Sequence, residues 1–92
     1  MKISFDPEKR ERTLRERGLD FADAADIFAG PAFTLLDDRF DYGEPRFQTY
    51  GLLAGRLMLV VWTPRGEARH VISIRKCNDR EKKKIAHRLG QG

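Results

Sequence analysis

A chain of 92 residues has room for one domain with a small core, so residues 1–92 are read as a single unit. Lysine and arginine number 18 against 14 aspartates and glutamates, giving a net charge of +4 and a pI of about 9.6, a balance suited to nucleic acid, an acidic membrane surface or an acidic protein partner. The single cysteine, Cys77, excludes an intrachain disulfide and a cysteine zinc cluster, and the longest apolar run, Leu57 to Trp62, is far too short to span a membrane.

Met1 to Asp6 lacks the apolar region of a signal peptide, so a cytoplasmic chain without a membrane partner is expected. Ile3 to Phe5 suits a short strand. Asp6-Pro7 then starts a helix, because aspartate accepts from free amides and proline fits the first helical position. That helix, about Pro7 to Arg17, carries one large apolar residue, Leu14, and stops at Gly18. With so little to bury, and Arg10, Leu14 and Arg17 on one side, it is expected to lie as a solvated cover, the alternative being a basic face offered to a partner.

A second helix is expected from Asp20, with Phe21, Ala24, Ala25 and Phe28 at i, i+3, i+4 and i+7 as a core stripe and Gly30-Pro31 as the stop. Four strands follow: Ala32 to Leu36, Arg46 to Leu53, Arg56 to Thr63 and Ala68 to Lys76. An acidic loop, Asp37 to Glu44, separates the first two. Ala54-Gly55 and Pro64-Arg65-Gly66-Glu67 suit hairpin turns. The chain closes with a Lys-rich helix from about Asp79 to Leu89, anchored by Ile85 and Leu89. The fold class is α+β: an antiparallel sheet of about four strands, to which the N-terminal strand can add, with two N-terminal helices and one C-terminal helix.

Centring the two turns as drawn sets the cross-strand pairing. One face then holds Arg56, Met58, Val60, Trp62, Arg69, Val71, Ser73 and Arg75, completed by Phe47, Thr49, Gly51 and Leu53. The other holds Tyr50, Leu52, Leu57, Leu59, Val61, Ile72 and Ile74. The second is the more uniformly apolar, so it is expected to take the Phe21/Phe28 helix. The first, mixed face around Trp62 is the expected binding surface. Two basic clusters follow, Arg46, Arg65 and Arg69 towards one end and Arg56, Arg75, Lys76 and Arg80 towards the other.

No phosphate loop, HExxH, GxSxG or CxxC motif is present, and neither a metal site nor a cofactor is expected. His70, inside a strand, is expected to be a structural imidazole, His87 a solvated one, and Cys77 a small strand-end hydrophobe. Arginine cannot act as a base near neutral pH, but it grips phosphate and stabilises growing charge. RNA cleavage by such a chain would run by attack of the neighbouring 2′-hydroxyl. Glu44, Glu67, His70 and the RNA itself remain open as the base.

Several segments together resemble the BrnT family of toxins from BrnT–BrnA type II toxin–antitoxin systems. Phe5-Asp6-Pro7-x-Lys9 resembles the opening F/W-D-P-x-K. Gly18-Leu19-x-Phe21-x-x-Ala24 with Phe28 resembles G-[IV]-x-F-x-x-A…F, and Gly43-Glu44-x-Arg46-Phe47 resembles G-E-E-R-F. Thr63-x-Arg65-Gly66 resembles T-x-R-G, and Val71-Ile72-Ser73-x-Arg75-Lys76 with Arg80-Glu81 resembles I-I-S-A-R-K…R-E.

The resemblance implies a RelE-like fold and a translation-blocking ribonuclease. It also implies a BrnA-type antitoxin that covers the toxin, forms a heterotetramer with it and contacts operator DNA. Arg46, Arg65, Arg75 and Arg80 stand at the family's recurrent arginines and take catalytic roles by resemblance; Arg56, Arg69 and Lys76 are expected to bind RNA. Departures fall at Thr13, Arg17, Pro45 and Ile85, where relatives carry asparagine, histidine, glutamate and often tyrosine. Loss of that histidine and tyrosine leaves a non-catalytic RNA- or antitoxin-binding module as the alternative.

Overall fold

Asp6 and Pro7 start a helix where expected. The Asp6 side chain accepts from the Glu8 amide at 2.9 Å, Pro7 occupies the first turn, and the helix (α1, Pro7–Arg17) ends at Gly18 with φ 67°. The computed structural model describes residues 2–89. None of α1 is buried. It is tied down by charge: Arg10 grips Asp20 through two bonds of 2.8 Å, and Arg17 donates to the Ile74 carbonyl at 3.2 Å.

The second helical segment differs from expectation. Residues Phe21–Asp23 form a 3-10 turn capped by Asp20, and only Ala24–Ala29 (α2) is α-helical. A 3-10 turn advances three residues per turn, so Phe21, Ala24 and Ile27 line up. Those three are buried, whereas Ala25 is exposed and Phe28 only half-buried. Ile27 therefore takes the core place that the helical spacing assigned to Ala25.

The strands are Lys2–Phe5 (β1), Ala32–Leu36 (β2), Phe47–Leu53 (β3), Arg56–Arg65 (β4) and Ala68–Lys76 (β5), in the sheet order β1-β5-β4-β3-β2. The fold is α+β as expected, but the sheet has five strands and is mixed, because β1 runs parallel to β5. Asp79–Ile85 (α3) follows Asn78, whose side chain and that of Glu81 cap the helix reciprocally. A short 3-10 turn, Ala86–Arg88, completes the C-terminal helical segment.

Two local features re-set the β4–β5 pairing. Gly66, at φ 56°, lets the turn close over Gly66-Glu67 alone, and β4 runs on to Arg65. Pro64 is tolerated there because β3 pairs no further along β4 than Trp62, so no neighbour needs the missing N–H. A bulge then falls between Val61 and Trp62, which face Ser73 and Val71, so Ile72 is the extra residue. The alternation slips by one beyond it. Ile74 joins Val60 on one face, while Ser73 and Arg75 pass to the other with Val61 and Leu59.

The expected assignment of faces is therefore reversed. The Trp62 face takes α2: Phe21, Ala24, Ile27, Met58, Val60, Trp62, Val71 and Ile74 form the main core. Trp62 stacks on Phe47 with ring centroids 4.9 Å apart, and its indole N–H donates to Thr49 at 2.8 Å, so it is an interior residue and not a binding surface. Gly51 permits the close approach of α2, since a Cβ there would lie 2.7 Å from Ile27 Cγ2. The second face has a smaller core of Tyr50, Leu57, Leu59, Cys77 and Ile85 under α3. Among the described residues, no helix covers the rest of that face, towards the β4–β5 turn.

Candidate active site

The uncovered half of the second face is built from β1, β4 and β5 and from the loop before β3. That loop is pinned at its start. Buried Asp37 accepts two bonds from Arg39 at 2.8 and 2.9 Å and one from Tyr42 at 3.3 Å, and its amide donates to the Arg46 carbonyl at 2.8 Å. The Arg39 guanidinium holds the Asp37 carboxyl at about 2, well below the usual carboxylate range. Buried Thr63 donates to the Pro45 carbonyl and fixes the loop's other end to β4.

So pinned, the loop delivers three side chains to the open face. The Tyr42 ring lies 4.1 Å from the Arg46 guanidinium carbon. Glu44 sits between two arginines, 3.8 Å from Arg46 and 3.8 Å from Arg65. At that distance neither contact is a hydrogen bond, and among the described residues the buried Nε–H of Arg46 has no acceptor. A buried donor without a partner is uncommon in a folded chain, and here the Glu44 carboxylate stands 3.8 Å from it. Arg65, with its side chain 55% exposed, is the accessible cation of the pair.

His70 completes the group. It lies opposite Thr63, one diagonal step from Arg65, and β1 brings Ser4 alongside it. The Ser4 hydroxyl is 2.9 Å from His70 Nδ1. Burial pushes the imidazole below its ordinary value, and the charge of Arg65 pushes the same way, against Glu44. The ring is therefore neutral near pH 7. This clustering is not legible in sequence, where Ser4 has no role and His70 is expected to be structural while also standing among the open candidates for the base. Ser4 and His70 meet through a parallel pairing of segments 66 residues apart, which no local pattern announces.

The other expected site residues lie elsewhere. Arg69 points to the first face, its guanidinium carbon 4.6 Å from both the Phe28 and Trp62 ring centroids. Arg75 is on the second face but at its α3 end, where Glu81 holds its two terminal nitrogens at 2.8 and 2.7 Å. Arg80 is exposed on α3. Arg56 and Lys76 meet beside Leu57 and Cys77 at the far end. Arg65 pairs with Ala68, so Arg75 is seven positions away, roughly 23 Å along the strand. The two expected clusters are thus separate, with Arg69 in neither. Cys77 is buried and its thiol is pushed up to about 11 by burial, which makes it an inert core residue.

The far end also holds a cleft of about 350 Å³ between the β3–β4 turn and α3. Pro31, Leu52, Leu57 and Leu89 line it, and Arg56 and Lys82 stand at its rim.

The family model for the ribonuclease toxin BrnT of type II toxin–antitoxin systems matches residues 5–81, which include α2 and the Glu44, Arg46, Arg65 and His70 positions of the open face but not Ser4. The chain belongs to the BrnT family. Comparison with curated proteins gives no match. Membership implies a ribonuclease toxin and an antitoxin protein as its partner. Among the described residues of this BrnT-family chain, no group of three or more His, Cys, Asp or Glu is placed to hold a metal ion, and no helix is long and apolar enough to cross a membrane. Two departures from the resemblance have structural duties here: Arg17 caps the Ile74 carbonyl, and Ile85 anchors α3 in the smaller core.

Proposed function

We propose that this BrnT-family chain is a cytoplasmic, metal-independent endoribonuclease toxin that blocks translation by cutting RNA on the open half of its second sheet face. The observation that carries the reading is the convergence of Arg46, Glu44, Arg65 and His70 beside a buried, unpaired arginine N–H. Arg65 and Arg46 hold the scissile phosphate and stabilise the extra negative charge of its pentacovalent state. The 2′-hydroxyl attacks phosphorus, so a 2′-O–P bond forms and the P–O5′ bond breaks, leaving a cyclic phosphate and a 5′-hydroxyl. Lys76 stands beside Arg56 and Lys82 at the far end of the sheet, and Arg80 is exposed on α3, so neither belongs to this site. Arg69 and Arg75 serve the fold, since aromatic rings hold the one and Glu81 the other.

A BrnA-type antitoxin is the proposed partner, in a heterotetramer that meets operator DNA through the antitoxin. The apolar cleft with its basic rim offers that partner a surface separate from the RNA site. The decisive experiment incubates purified chain with RNA in the presence of a chelator. Cyclic-phosphate ends that vanish with Arg65→Ala and Arg46→Ala support the reading, and intact RNA across a range of salt overturns it. The structural duties of Arg17 and Ile85 favour a second reading, RNA binding without cleavage; salt-dependent retention of uncut RNA would select it.

A further inference from the structure

We propose that His70 is the base that takes the proton of the attacking 2′-hydroxyl, and that Ser4 is its positioning residue, accepting Nδ1–H so that Nε2 presents a lone pair. The proposal rests on RNA cleavage at the open face and names the proton acceptor within it.

Four candidates for the base are separated by their surroundings. Glu67 is at the hairpin tip with its side chain 88% exposed, 3.9 Å from Lys2, outside the cluster. Glu44 stands between two guanidinium groups, 3.8 Å from each, which crowd the approach of a 2′-hydroxyl to its oxygens. Cleavage by the RNA alone needs no protein base but uses nothing of the His70–Ser4 pair. His70 is partly exposed and holds a 2.9 Å bond on one nitrogen, which leaves the other ring nitrogen for a substrate.

The charged groups around the ring come from every neighbouring element. Arg65 on β4 and Lys9 on α1 favour the neutral form, while Glu44 in the loop and Asp6 before α1 oppose them, and burial outweighs each. A neutral base below the ordinary histidine value at pH 7 is the protonation state that proton abstraction requires. The Ser4 contact fixes the ring on the β1 side. A lone pair, in preference to an N–H, is then the favourable group to present towards the cation Arg65. In the step, the 2′-OH proton passes to Nε2 as the 2′-O–P bond forms. The departing O5′ takes a proton from water, and imidazolium returns its proton to solvent.

The test uses the full chain in three arms. Nitrogen NMR of labelled protein is expected to show neutral His70 with the proton on Nδ1; a proton on Nε2 overturns the role of Ser4. His70→Asn is expected to keep RNA binding and lower cleavage about 10²- to 10⁴-fold. Equal cleavage by the variant with an unchanged pH profile overturns the base assignment while leaving ribonuclease function intact. Failure of the unaltered chain to cleave overturns both. Ser4→Ala is expected to move the acid limb of the cleavage profile to lower pH, because an acceptor that stabilised imidazolium is gone, and Ser4→Thr to restore it. A shift to higher pH would mean that Ser4 donates to the ring, and would sink the assigned tautomer.

Discussion

Both terminal nitrogens of Arg75 are held by the carboxylate of Glu81, at 2.8 and 2.7 Å, across the junction of β5 and α3. Glu81 also accepts from the Asn78 amide at 2.9 Å, so one carboxylate caps α3 and ties it to the sheet. Glu81→Ala should remove the cap and the bidentate pair together and cost about 1–3 kcal/mol, discounted for the partial exposure of the pair. Denaturant unfolding measures it. Arg75→Lys should lose the forked geometry and part of that stability while cleavage per folded molecule stays near normal. A large fall in cleavage with unchanged stability would return Arg75 to the reacting centre.

Three carboxylates share a depressed pKa, and their joint effect on stability has a definite sign. The Arg75 guanidinium holds Glu81 at about 2, Arg10 and the Ala22 amide hold Asp20 at about 2, and Arg39 holds Asp37 at about 2. Each binds its proton less readily when folded than when unfolded. The stabilisation is therefore full above the ordinary carboxylate value near 4 and is lost as pH falls from there towards 2. Melting temperature should fall steeply over that window. Asp37→Asn should flatten the fall, and an unchanged slope in that variant would count against the Arg39–Asp37 pair as one of its sources.

Gly51 should tolerate no side chain. A Cβ would stand 2.7 Å from Ile27 Cγ2 and 3.3 Å from the Ile27 carbonyl oxygen, at the point where α2 crosses β3. Gly51→Ala is predicted to destabilise by roughly 1–3 kcal/mol through overpacking. Ile27→Ala removes Cγ2, so the double variant Gly51→Ala, Ile27→Ala should lose less than the sum of the two single losses, as a double-mutant cycle can show. Additive losses would point to strain from the backbone carbonyl instead.

What could be foreseen in the sequence divides by the range of the forces involved. Capping at Asp6 and Gly18 and the Ala54-Gly55 turn are local, and α1 and the β3–β4 register follow from them. The β4–β5 register depended on whether Pro64 sat in a turn or a strand, which is settled by where β3 ends. One extra residue, Ile72, then moved Ser73 and Arg75 across the sheet. Arg46, Glu44 and Arg65 could be singled out by residue type, but their meeting depends on the Asp37–Arg39 hook that folds the loop back. Ser4 beside His70 follows only from the parallel β1–β5 pairing.

The separation between the open face and the apolar cleft predicts that antitoxin binding and RNA cleavage can be uncoupled. Leu52 is 44% exposed at the mouth of the cleft, and Arg56 and Lys82 supply charge at its rim. Leu52→Asp places a carboxylate where an apolar partner side chain would be buried, at a cost of a few kcal/mol in desolvation unless it is paired. The complex with the cognate antitoxin should weaken at least about 10-fold, which corresponds to ~1.4 kcal/mol, in a titration followed by calorimetry. Cleavage by the free chain should stay unchanged, because Leu52 lies at the opposite end of the sheet from Arg65 and His70. Unaltered antitoxin affinity would move the interface off the cleft. Simultaneous loss of cleavage would show that the two ends of the sheet are coupled.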